Sequence, residues 1–234
     1  AYLRMALVLA IPALIGTIIS NYGQIIFLKY YDETLLGVFF VINKVLLVLV
    51  MTHQAFRMVL LPNFSRLIAD NEFGILKNKI QLYEKYIGIF WGIINIGGFL
   101  IGPWLLGLYT TEFYLENGLI LFFIKTLLMV NWGIVAAYNT LLIASNNTII
   151  YFINSILSLA LTLIGWYLLI PKYSLVGLTI APYLNYFISI PLIRLSLYKK
   201  YKIGGLSMTN FKTLLLSSLF ILIAFLFYEF TDFL

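Results

Sequence analysis

No cysteine occurs among the 234 residues. A disulfide framework, a thiolate metal site and a cysteine nucleophile are therefore excluded. Charge is nearly as scarce. Nine acids and fifteen bases make up 10% of the chain, where an average soluble domain carries about 25%. So few charges cannot coat a globule of this size, which excludes a water-soluble enzyme, a disordered chain and a coiled coil. One histidine, and no acid deep inside the apolar stretches, leave no acid–base pair for catalysis. Walker A, GxGxxG, HExxH and GxSxG patterns are all missing. The expectation is a protein that is not an enzyme and that needs no metal and no cofactor.

What is abundant is apolar surface. Hydrophobic residues form 62% of the chain and the mean hydropathy is +1.00. That describes an all-α, polytopic membrane helical bundle. Seven stretches are long enough to cross about 30 Å of hydrocarbon, at roughly 5–28, 35–61, 87–108, 118–144, 149–171, 175–197 and 213–230. There is no initiator methionine and no signal peptide, and an apolar stretch starts almost at residue 1, so the sequence reads as a piece of a longer chain.

The bases fix an orientation. With the N-terminus inside, the inner segments hold Arg4, Arg57, Arg66, Lys77, Lys79, Lys85, Arg194, Lys199, Lys200, Lys202 and Lys212, eleven of the fifteen. The outer segments hold Lys29 and Lys172 and most of the acids. The positive-inside bias thus accounts for the net charge of +6 without nucleic acid. Residues 62–86 form the one long loop, inside. Leu76, Ile80, Tyr83 and Ile87 recur there at helical spacing, which suggests an amphipathic helix at headgroup level or a connector dipping into the interface.

Polar residues inside apolar stretches are costly, so their placement is informative. Thr17, Ser20, Asn21 and Gln24 share one narrow face of the first helix, at about 100° per residue. They either glue helices together or line a cavity. In the second stretch Asn43, Gln54 and Arg57 fall on one side with His53 beside them, and Lys44 lies on the other flank. Lys44 is deep enough to need water or an anionic partner, whereas Arg57 can snorkel. Lys125, Trp132 and Asn139 line up in the fourth stretch. The candidate substrate-binding residues are therefore Lys44, Arg57, Lys125, Gln24, Asn21 and Asn43. Gly88/Gly92 and Gly98/Gly102 read as small-residue faces for close helix approach, as do Ser155, Ser158, Thr162 and Gly165. Pro182 and Pro191 mark a sixth stretch that bends.

Residues 98–188 resemble the C-terminal half of bacterial polysaccharide-repeat flippases, within the multidrug/oligosaccharidyl-lipid/polysaccharide exporter superfamily. Gly102-Pro103 followed by Leu106-Gly107-Leu108-Tyr109 resembles that family's "GP…LLYG" end of a span. Leu142-Ile143-Ala144-Ser145-Asn146 resembles its "LLA-x-N/G" exit. Leu169 to Ala181 resembles "LIPKYGIVGAAIA", with Ser174 in place of the usual glycine. Leu61-Pro62-Asn63-Phe64-Ser65 resembles "LP-x-x-S". The resemblance implies that residues 1–200 are the second six-helix lobe of a two-lobe exporter. Residues 201–234 would then be a basic linker and one added transmembrane helix. It further implies flipping of undecaprenyl-pyrophosphate-linked oligosaccharide across the bacterial cytoplasmic membrane, for O-antigen, capsule or exopolysaccharide synthesis. The implied partners are that glycolipid, membrane lipids and a first lobe outside this sequence. No family motif assigns Lys44, Arg57 or Lys125 a role. The alternatives are a drug or lipid II exporter of the same superfamily, a membrane polymerase or ligase, and a packing-only membrane subunit.

Overall fold

A computed structural model describes residues 2–109 and 112–203. Among them the chain is almost entirely helical and has no strand. Seven helices follow in order: α1 (Tyr2–Phe27), α2 (Glu33–Val45), α3 (Leu47–Ala69), α4 (Phe73–Tyr109), α5 (Glu112–Ala144), α6 (Thr148–Leu184) and α7 (Tyr186–Tyr201). The stretch 213–230, and with it the division at residue 201, lies outside the described residues.

By length and composition three described helical runs can cross a membrane: Ala10–Phe27, Leu47–Ala69 and Thr148–Tyr201; Asn117–Met129 is a shorter apolar stretch. The stretches 149–171 and 175–197 both fall in the last of these runs. The stretch 35–61 is split at Leu46 into α2 and α3. The long loop is also redrawn. Within residues 62–86 α3 runs on to Ala69, a short turn follows, and α4 begins at Phe73. Leu76, Ile80 and Ile87 are buried and Tyr83 half-buried, so this apolar stripe belongs to the core.

Helix α6 folds back on itself. Ser174 has φ 50° and ψ −128°, a non-helical break inside α6. A Cβ on Gly177 would lie 2.4 Å from the Leu169 carbonyl oxygen, and one on Gly165 would lie 2.9 Å from the Ala181 Cβ. The Asn185 amide donates to the Ser158 hydroxyl at 2.5 Å, and the Asn147 amide to the Ser196 hydroxyl at 3.2 Å. These pairs keep one antiparallel register from the tip to the far end. The segment before Ser174 and the segment after it, continued by α7, are therefore the two arms of a helical hairpin. This is why 149–171 and 175–197 read as separate stretches.

Proline explains the hairpin's polar contacts. Pro182 has no N–H, so the Leu178 carbonyl one turn earlier loses its helical donor. The Trp166 indole N–H reaches across from the other arm and donates to it at 3.2 Å. At the tip the Pro171 carbonyl accepts from the Tyr31 hydroxyl at 3.1 Å. The Pro182 carbonyl accepts from the Asn185 side-chain amide at 2.8 Å, where α6 gives way to α7.

Helix α5 is the hub. It packs on α2, α3, α4, α6 and α7, and Leu121, Phe122, Leu128, Met129, Leu141 and Leu142 are buried along it. A helix apolar on all sides is one that neighbours surround. Gly98 and Gly102 of α4 seat Phe122, whose ring would lie 2.6 Å from a Cβ at Gly102. Gly92, by contrast, faces open space. Helix α1 packs on α6, with Gly23 flat against the Trp166 ring, 2.5 Å from where a Cβ would stand. The outer faces remain strongly apolar: Met58 is 75% exposed, Val48 and Leu168 68% each, and Ile93 66%. Exposed apolar area on this scale requires lipid or another protein surface against it.

Candidate functional site

Helix α1 presents three faces. Pro12, Ile15, Gly23, Ile26 and Phe27 are buried and form the side that meets α6. Ile11, Leu14, Ile18 and Ile25 are exposed and apolar. Thr17 and Asn21 are also exposed, with Gln24 half-buried beside them. At about 100° per residue this polar face stands about 150° from the packed one. The Thr17 hydroxyl donates to the Ala13 carbonyl at 3.2 Å and the Asn21 amide to the Thr17 carbonyl at 2.8 Å. The polar stripe read from the sequence is thus turned away from the core, next to an apolar surface. Ser20 and His53 lie outside the described side chains, as does Trp132.

Two of the candidates meet. The Lys125 ammonium donates to the Asn43 side-chain oxygen and sits 4.3 Å from the centre of the Phe39 ring. Both residues are half-buried. An amide oxygen and a π-face hold the cation without neutralising it. Gly118 of α5 lets α2 approach: Ile42 and Val38 side chains would lie 3.1 and 3.3 Å from a Cβ there.

Lys44 points elsewhere. Leu36, Val38 and Ile42 form the buried side of α2, and Lys44 is exposed on the opposite side with Phe40. It lies about 16 Å along the helix from Glu33. Arg57 is half-buried on α3, where its charge is felt by Tyr83 of α4. It stands about 21 Å along the helix pair from Asn43, so the two belong to different levels of the bundle. Gln54 is exposed.

The most elaborate polar cluster was not legible in the sequence. Glu84 of α4 pairs with Arg194 of α7 at 2.6 Å, and the Tyr138 hydroxyl of α5 donates to the same carboxylate oxygen. The Arg194 guanidinium also lies over the Tyr138 ring, 4.8 Å from its centre. The side chains are 3% and 10% exposed for Arg194 and Glu84. The sequence reading places Glu84 in the inner segment 62–86 and Arg194 near the inner end of the sixth stretch, and does not pair them. Nearby, Tyr201 tilts against Phe73 with ring centres 5.4 Å apart and donates to the Ser145 carbonyl at 3.4 Å. Exposed Arg66, Lys77, Lys79, Lys85, Lys199, Lys200 and Lys202 surround this end of the bundle. No group of three metal-ligating side chains occurs among the described residues.

Comparison with known proteins gives one informative likeness. The chain is similar to the capsular polysaccharide biosynthesis protein CapF of Staphylococcus aureus, 29% identical over 196 residues. That match covers 83% of this chain and 48% of CapF, so the chain spans about half the length of the curated relative it matches. No family model matches, and no solved structure does.

Proposed function

We propose that this chain is one lobe of a membrane transporter acting in bacterial surface-polysaccharide synthesis. It sits in the cytoplasmic membrane with the start of α1 inside. Its cargo is an oligosaccharide repeat unit on undecaprenyl pyrophosphate, moved from the inner to the outer leaflet by alternating access. The observation that carries this reading is the exposed polar face of α1. Thr17, Asn21 and Gln24 turn away from the core in a helix whose other exposed side is Ile11, Leu14, Ile18 and Ile25. Hydrocarbon suits the second face and not the first, so the first faces water or a polar partner. Lys44, exposed at mid-depth among apolar neighbours, demands the same.

The chemistry fits the cargo. The lipid tail can stay in the bilayer while a pyrophosphate and sugars cross a hydrated path. A few separated cations attract the anion without trapping it. Lys44 is the first such cation, and Lys125, held by Asn43 and Phe39 without a carboxylate among its described contacts, is the second. Asn21 and Gln24 suit sugar hydroxyls. The likeness to CapF supports a polysaccharide role. Membrane lipid covers the apolar exterior, and the polar wall closes against a second lobe.

The test is Lys44→Ala in the full-length protein in its native host. Surface polysaccharide should fall several-fold while the protein's abundance in the membrane is unchanged. Undiminished polysaccharide at normal abundance would remove Lys44 from the path.

A further inference from the structure

The two halves of the hairpin's second arm are held in different ways. Above Asn185 the contact is close and backbone-to-backbone. Gly177 meets the Leu169 carbonyl, Gly165 meets Ala181, and the Trp166 indole caps Leu178. Such contacts leave no room for the arms to slide or separate. Below Asn185 the buried side chains of Ile193 and Leu197 are joined by polar contacts that side chains make. Asn147 bonds Ser196, Tyr201 bonds the Ser145 carbonyl, and Arg194 bonds Glu84 against Tyr138. Each of these bonds is made by a side chain, so each can break without unwinding a helix.

Between the two halves the helical ladder is broken. Pro182 donates nothing, and Asn185 substitutes its side chain for backbone partners. It bonds Pro182 and Ser158, while the Ser189 hydroxyl donates back to the Asn185 carbonyl at 2.7 Å. Side-chain replacements at a proline are a recognised cause of a kink, and a few element-terminal residues suffice for a hinge.

We propose that α7 is a moving arm. It pivots at Asn185 below a segment pinned to the other arm, and the buried Glu84–Arg194–Tyr138 cluster is the latch that holds it against α4 and α5. The latch is built for switching. It is a charge pair shared by three helices, so it binds strongly when dry and loses its hold when water enters. Helix α7 is about 24 Å long, so a swing of about 15° moves its far end about 6 Å. A displacement of that size at the basic end would open the bundle where the α3–α4 and α5–α6 turns meet α7.

Spin-label distances in the full-length protein in lipid nanodiscs, with any cysteine outside these 234 residues replaced, read this motion directly and independently of what is transported. One pair of labels goes on Ile149 and Tyr198, exposed residues opposite each other at the basic end. A second pair goes on Leu168 and Ile180, above the pivot. Breaking the latch with Glu84→Gln should add a longer-distance population at the lower pair, about 6 Å beyond the first, and leave the upper pair unchanged. Arg194→Gln, which breaks the same charge pair from the α7 side, should do the same if Glu84→Gln fails to fold. An unchanged lower pair in the variants that fold, or equal lengthening at both pairs, overturns the proposal.

Discussion

Replacing Trp166 by Phe isolates one interaction that proline creates. Trp166 is 1% exposed, and its indole N–H donates to a carbonyl that Pro182 has left without a helical donor. Phe keeps an aromatic ring against Gly23 but cannot donate. A buried carbonyl without a partner costs about 1–3 kcal/mol, and the smaller ring adds a cavity cost. The cavity term is common to any background, so a double-mutant cycle removes it. In a Pro182→Ala background residue 182 regains its N–H, the Leu178 carbonyl regains its helical donor, and Trp166→Phe should cost only the cavity. The two costs should differ by at least about 1 kcal/mol, which for a chain of this size is about 2–4 °C in Tm. The assay is thermal unfolding of the detergent-solubilised protein, with all four members of the cycle under one condition. Equal costs in the two backgrounds would refute the reasoning, because the indole would then be packing and not capping.

Two further outcomes follow from the same geometry. Ser174→Gly should raise Tm by about 2–4 °C, since a residue with a side chain at φ 50° carries about 1 kcal/mol of strain that glycine lacks; an unchanged or lower Tm in the same thermal assay contradicts it. Glu84→Ala should destabilise by about 3–5 kcal/mol by leaving Arg194 charged and buried, whereas Glu84→Leu with Arg194→Leu should cost much less. Chemical unfolding in mixed micelles measures both, and a double variant as unstable as the single one contradicts the pairing.

How far the sequence carried can be judged from single residues. The polar face of α1 was legible because periodicity alone places Thr17, Asn21 and Gln24 together, and it needed only the position of α6 to show which way they point. The break at Ser174 was legible from the end of one apolar stretch and the start of the next. The split at Leu46 was not, since nothing in composition separates α2 from α3 there. Gly92 and Gly102 looked alike in the sequence, yet only Gly102 has Phe122 against it. Pairings across great separations were invisible in principle. Lys125 and Asn43 are 82 residues apart, and Arg194 and Glu84 are 110 apart. Hydropathy sees each as an isolated polar residue. Charge counting leaves Glu84 and Arg194 in separate inner segments because it cannot know that Tyr138 stands between their helices. The wheel that grouped Asn43 with Arg57 assumed one continuous helix, whereas the chain breaks between them at Leu46 and they stand at different levels.

The central claim is that α1 has water on one exposed face and hydrocarbon on another. Thiol labelling of the full-length protein in intact membranes, with any cysteine outside these 234 residues replaced, tests it most directly, using Asn21→Cys and Ile25→Cys with a small membrane-impermeant maleimide. The account expects Asn21→Cys to react and Ile25→Cys, roughly a turn away on the apolar face, to stay unlabelled. Protection at both positions, or labelling of Ile25→Cys alone, would contradict it.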